Sequence, residues 1–226
     1  MGKISSKSFH LFSVSLASVV MCIFMLLSVS CTQVVPEVKY SSLSVVFDYK
    51  NDKSLPTARL CVFVESISDA RRYENINVQS VKNGFIWDVS DVVKIKSYDR
   101  MYAGNTTLVV PDGEKIPTGE YNITFYNADA EKVETKTVLN YDSEFYDSKS
   151  GDIPEMMRKR GGKKNIAIYD KEGKLIYYGE RTDKLDDTRK IWNKYRNAGS
   201  FNEVWKLPNN SVICVMPLEQ VVPSND

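Results

Sequence analysis

Few side chains in this chain could do covalent chemistry, and their positions limit which chemistry that is. The single histidine, His10, lies beside an apolar N-terminal stretch. If residues 1–30 are removed, no imidazole remains for Ser-His-Asp or Cys-His catalysis, or for a histidine-bound zinc. Cys31 ends the apolar stretch, whereas Cys61 and Cys214 each sit inside an apolar, strand-like run. Outside the cytosol those two either pair as a disulfide closing a long loop or stay apart as buried thiols. Arg158, Lys159, Arg160, Lys163 and Lys164 flank Gly161-Gly162. This basic loop is a candidate patch for an anionic partner, and it lacks the G-x-x-x-x-G-K-[ST] spacing that cradles phosphate. Asp186-Asp187 is the one adjacent acid pair in a helix-like setting, readable as a carboxylate pair for hydrolysis or as a helix cap. These patterns assign no catalytic residue, cofactor site or metal site.

The elements that position these residues begin with the leader. Residues 1–10 carry two lysines and no acid, and residues 11–29 form an uncharged, mostly apolar run of 19 residues. On its own this fits a cleaved secretory signal or an uncleaved anchor. The run ends in Ser28, Val29, Ser30 and Cys31, which resembles the lipobox of bacterial lipoproteins, with Leu27 one place back from that family's usual leucine. The resemblance implies cleavage before Cys31 and lipidation of its sulfur and new amino group. Several acyl chains anchor durably where one binds only marginally. Residues 31–41 then read as a tether. With 1–30 gone, two lysines and no acid are lost, leaving 28 bases against 29 acids. Such a balance gives no global attraction to nucleic acid.

Residues 42–140 read as strands. Leu43, Val45, Phe47 and Tyr49 alternate with Ser44, Val46 and Asp48, the period of a half-buried strand. ARLCVFVE, 58–65, is a dense run bounded by Pro56, as expected of a central strand. Asn83-Gly84 between two apolar runs signals a hairpin. NTTLVVP, 105–111, is a further short strand, and residues 116–141 read as another hairpin. Pro117, Gly119 and Tyr121 in it resemble the P-x-G-x-Y hairpin that ends many bacterial immunoglobulin-like and fibronectin-III-like domains. That resemblance implies a two-sheet sandwich in which the tyrosine makes a corner contact to the backbone. Trp87 is readable either as the core tryptophan of such a sandwich or as an ordinary hairpin residue.

Residues 141–226 read as a small α+β unit of order β-β-α-β: a polar linker over 141–152, one or two helical turns over 153–162, a hairpin over 165–180, a helix over 186–199 and a final strand over 210–217. The expected architecture is therefore mainly β, an immunoglobulin-like β-sandwich followed by this C-terminal unit. Charge, leader and the missing histidine favour a lipid-anchored envelope protein. It would be a non-catalytic binding or assembly module held to a membrane through its N-terminal lipid, facing the periplasm or the outer surface. An envelope protein or polysaccharide is its expected partner. The rival readings are a surface adhesin for host or polyanionic ligands and a carboxylate-dependent envelope hydrolase.

Overall fold

β1 (Val38–Asp48) organises the molecule because both of its edges are paired. One edge runs antiparallel to β2 (Thr57–Ser66); the other runs parallel to β12 (Val212–Gln220), the last strand of the chain. The computed structural model describes residues 38–66, 73–97, 99–127 and 131–221. The leader and Cys31 lie outside the described residues. No helix among the described residues is long and apolar enough to cross a membrane.

The described residues are mainly β and build two sheets. The large sheet has eight strands in the order β10-β9-β11-β12-β1-β2-β6-β5. Here β5 is Val93–Ser97, β6 Arg100–Leu108, β9 Lys163–Asp170, β10 Leu175–Glu180 and β11 Ala198–Lys206. The small sheet has the order β4-β3-β7-β8, with β3 at Tyr73–Ser80, β4 at Ile86–Val89, β7 at Gly119–Asn127 and β8 at Lys132–Leu139. Alternate residues of the facing strands make the core: Leu43, Val45 and Phe47 of β1 and Leu60, Val62 and Val64 of β2 lie in one buried cluster with Ile76, Val78, Tyr121, Ile123 and Phe125 of the small sheet. The same cluster continues into Trp205, Val212, Cys214 and Met216. The residues after 141 thus extend the large sheet and share its core.

Two short helices fill the interior beside β1. α1 (Glu144–Asp147) buries Phe145, and α2 (Ile153–Lys159) buries Ile153, Met156 and Met157. Phe47 is the aromatic hub, 5.4 Å from the Phe145 ring, 5.0 Å from Tyr146 and 6.0 Å from Tyr141. The stretch read as a polar linker packs only in part: Phe145, Ser148 and Ser150 are buried, Tyr141 and Tyr146 are half-buried, and the rest is exposed. α2 ends as its sequence predicts: Gly161 takes φ +71°, and the amides of Gly161 and Gly162 bond to the carbonyls of Arg158 and Met157, a Schellman stop. A second apolar cluster, with Ile166, Ile168 and Phe201 on the sheet and Leu185 and Ile191 above them, seats α3 (Thr188–Lys194).

Three expectations change. The 186–199 helix is only two turns long: Asp187 accepts a hydrogen bond from the Lys190 amide as N-cap, and Tyr195 already leaves helical geometry. Gly199 belongs to β11. The expected β-β-α-β order lacks β11, where Phe201 with Asn202 and Val204 with Trp205 are buried as neighbours, so the strand shows no alternation. The strand read at 105–111 begins earlier, at Arg100, and pairs with β5.

The Pro117–Tyr121 hairpin behaves as its motif implies. The fully buried Tyr121 donates its hydroxyl to the Pro117 carbonyl at 2.6 Å and stacks on Trp87 at 6.4 Å. Tyr121→Phe keeps the ring but leaves that carbonyl unpaired, with an expected cost of about 1–2 kcal/mol. Phe47→Ala empties the hub, with an expected cost of about 3–5 kcal/mol. Urea unfolding of the two variants gives the ranking; a Tyr121→Phe cost as large as that of Phe47→Ala would contradict these assignments.

Candidate functional site

The basic loop proposed from sequence is divided by the fold. Arg158, Lys159 and Arg160 close α2, while Lys163 and Lys164 open β9. Arg160 bridges Asp142 at 2.9 Å and Glu144 at 2.7 Å, and lies over the Phe145 ring. Lys159 pairs with Glu155 one turn back at 2.7 Å. Lys164 pairs with Glu203 at 2.7 Å. Three of the five cations are thus paired with acids of the same molecule.

Glu203 was not marked by any motif, yet it holds three donors. Arg181 Nη1 lies 2.5 Å and Lys164 Nζ 2.7 Å from Oε2, and Trp205 Nε1 donates to Oε1 at 2.6 Å. The Arg181 and Glu203 side chains are only 11% and 13% exposed. Arg181 also donates to the Asp186 carbonyl and lies over Phe201. This knot ties β9 and β11 to the segment that leads into α3, and so fixes where α3 sits. Three donors on one nearly buried carboxylate mark a structural clamp.

At the far end of the sheet a different cluster forms. Lys171, in the β9–β10 turn, and Arg196, just after α3, each lie 5.9 Å from the Trp192 ring. Lys194 lies 5.4 Å from Tyr177 and 5.3 Å from Tyr195, whose rings are 5.5 Å apart. These three exposed cations rest on aromatic faces, an arrangement that orders them without neutralising them. Trp192 lies in α3 and Tyr195 at its C-cap. Their meeting with Lys171 and Tyr177 depends on the hairpin docking beside α3.

The strand directions place this tip. Chain direction in β1 and β12 is shared, with Asp48 opposite Val215; β12 runs on to Gln220, opposite Ser200, and Ala198 faces Asp170. The cation–aromatic tip therefore lies at the end of the sheet opposite Val38, where the chain enters the fold, on the order of 40–50 Å away at ~3.3 Å per residue.

The cysteines do not form the bridge considered from sequence. Both are free and buried. Cys61 faces Ser44 on one side of the sheet, and Cys214, opposite Phe47, points into the core on the other. With β1 between them their strands are about 9–10 Å apart, beyond the ~7 Å that a disulfide spans. Cys61 Sγ donates to the Thr106 carbonyl at 3.5 Å. Arg59 donates to the same carbonyl at 2.6 Å and to Asp48 at 2.7 Å. Burial pushes the Cys61 thiol up to about 11 and the Cys214 thiol higher still.

The acids offered for hydrolysis are placed in ordinary structural roles. Asp187 caps α3. A hydrogen bond from Lys190 holds Asp186 below the usual carboxylate range, whereas a general acid is tuned upward. Among the described residues no group of three or more His, Cys, Asp or Glu side chains comes together as a metal site. Compared with known protein families, curated proteins and solved structures, the chain matches none.

The thiols give a pH test. A folded Cys61 holds its proton up to about pH 11, against a free value of 9.0. Between those values the folded chain binds more protons than the unfolded one, so stability must fall as pH rises. Denaturation of a chain starting at residue 36 is expected to show stability level between about pH 6 and pH 8, above the carboxylate range and below the thiol's. From pH 9 to 11 the Cys61 thiol should account for a loss of up to about 1.4 kcal/mol per unit, a share that Cys61→Ala removes. Ellman's reagent should find no reactive thiol in the native chain at pH 8 and two after unfolding. A thiol modified in the native state would contradict the buried placement.

Proposed function

We propose that this chain is a non-catalytic binding module of the bacterial envelope, held to a membrane by lipid on Cys31, with an immunoglobulin-like sandwich that carries its cation–aromatic tip toward an anionic partner. The observation that carries the reading is the polarity of the large sheet. The chain enters at Val38, and Lys171, Lys194 and Arg196 lie at the opposite end. A tether ending at one end of a rigid sheet leaves the other free to reach molecules away from the anchoring bilayer.

The immunoglobulin-like reading is supported by the two packed sheets and by the Tyr121 corner contact. The lipid anchor is supported by the residue pattern ending at Cys31. Anionic partners are favoured because cations stacked on Trp192, Tyr177 and Tyr195 are preordered, which lowers the entropy lost when a ligand binds. Interactions of this kind at an exposed tip weaken with salt.

Two measurements test the reading. Radiolabelled palmitate is expected in the wild-type chain and missing from Cys31→Ala; equal labelling of both would remove the anchor. On immobilised heparin, used as a polyanionic probe, wild-type protein is expected to be retained at low salt. A Lys171→Ala, Lys194→Ala, Arg196→Ala triple variant should elute earlier, while Arg158→Ala, Lys163→Ala elutes as wild type. Identical elution of the triple variant and wild type would overturn the tip's role.

A further inference from the structure

The outer face of the small sheet carries a grid of side chains that the core does not use. β3 sends Ile76 and Val78 inward, and β7 sends Tyr121, Ile123 and Phe125 inward. The pleat therefore turns Asn75, Asn77 and Gln79, with Asn122, Thr124 and Tyr126, to the other side. Strand register sets them in rows. Asp88, Asn77, Thr124 and Glu134 form one; Ile86, Gln79, Asn122 and Lys136 form the next; Asn75, Tyr126 and Lys132 form a third. Gln79, Asn122, Thr124, Glu134 and Lys136 line a pocket of about 400 Å³. In that pocket the Asn122 Oδ1 atom is buried and accepts no hydrogen bond. Buried acceptors without partners are rare in folded proteins and call for an explanation.

The surrounding chemistry narrows what would supply the missing donor. The charges on this face are engaged with one another: Lys132 with Glu134 at 2.8 Å, Lys136 with Glu120 at 2.8 Å, and Asp88 with the Asn77 amide. An anionic polymer would find no cation on this face without an acid beside it. Large exposed apolar side chains, Ile86 and Val138, stand in the edge strands β4 and β8, so the middle lacks the apolar anchors around which protein interfaces are built. What the middle offers is amides and a hydroxyl, which donate and accept at once, on rigid strands, with the Tyr126 ring two rows from Asn122 and Gln79, about 13–14 Å along the strand. Sugar hydroxyls have the same dual character. We propose that this face binds a neutral glycan, with Asn122 and Gln79 as its paired amide contacts and Tyr126 as the ring against which a sugar packs. This site is separate from the cation–aromatic tip and stands or falls independently of it.

Titration of ¹⁵N-labelled protein with maltohexaose, cellohexaose and chitohexaose tests this. At least one of these neutral probes is expected to shift the side-chain amide resonances of Asn122 and Gln79. Asn122→Ala should weaken that binding about tenfold while its thermal unfolding stays at the wild-type temperature. The tip triple variant should bind the sugar as wild type does. Unmoved Asn122 and Gln79 resonances with all three sugars, or binding that Asn122→Ala leaves intact, would overturn the proposal. Loss of heparin retention alone would bear only on the tip.

Discussion

The parallel pairing of β1 with β12 is the constraint on which the rest of this structure depends. It joins Val45 to Val212 and Asp48 to Val215, residues at opposite ends of the described chain. Closing so long a loop costs entropy that must be offset by burial. The offset is visible on the core side of the same pair, where Phe47 and Cys214 lie opposite one another, both fully buried. Without β12, β1 would present a bare strand edge, and β9, β10 and β11 would lose their link to the sandwich. With it, the large sheet ends only at β5 and β10, one of them lysine-bearing and both short, as protected edges tend to be.

Polar clamps then fix what the core leaves adjustable. Arg59 crosses from Asp48 to the Thr106 carbonyl, fastening β1, β2 and β6 on the outer face of the large sheet. Glu203 gathers Arg181, Lys164 and Trp205, and a buried charge held this way is costly to leave with a partner missing. Because Arg181 also binds the Asp186 carbonyl, the clamp sets the start of α3. The α3 cations and aromatics thus take their positions from a carboxylate that no ligand needs to touch. The small sheet differs: its inner face is locked by Tyr121 and Phe125, while on its outer face the charged groups pair with one another and the Asn122 Oδ1 atom is left without a partner.

Much of the architecture could be read from local pattern. β1 and β2 carried period two or dense β-branched character, and the Asn83-Gly84, Pro117–Tyr121 and Lys171–Lys174 turns each marked a hairpin by its own chemistry. The α2 stop at Gly161 was also legible. β11 was not, because Phe201 with Asn202 and Val204 with Trp205 are buried as neighbours and leave no alternation, and neither was β5, whose alternation of Val93 and Ile95 with Lys94 and Lys96 spans only five residues. Phe145 was hidden in an acidic stretch, since only the packing against Phe47 reveals it as core. The partners of Arg160 and Lys164 in the basic run, Asp142, Glu144 and Glu203, are brought in by tertiary structure and carry no local spacing signal. The Trp192 cluster and the Asn122 grid were invisible for the complementary reason: each is assembled from strands or turns that the sequence separates, and their side-chain types alone carry no spacing rule.

The account's central claim is that one cooperative sheet, closed by β12 on β1, holds both candidate surfaces in fixed places. Native-state amide hydrogen exchange across a denaturant series tests it most directly. The account predicts that the slowest amides of β1, β2, β11 and β12 open together, at the free energy of global unfolding. A lower-energy opening that frees β9 to β12 as a unit while β1 and β2 stay protected would contradict it.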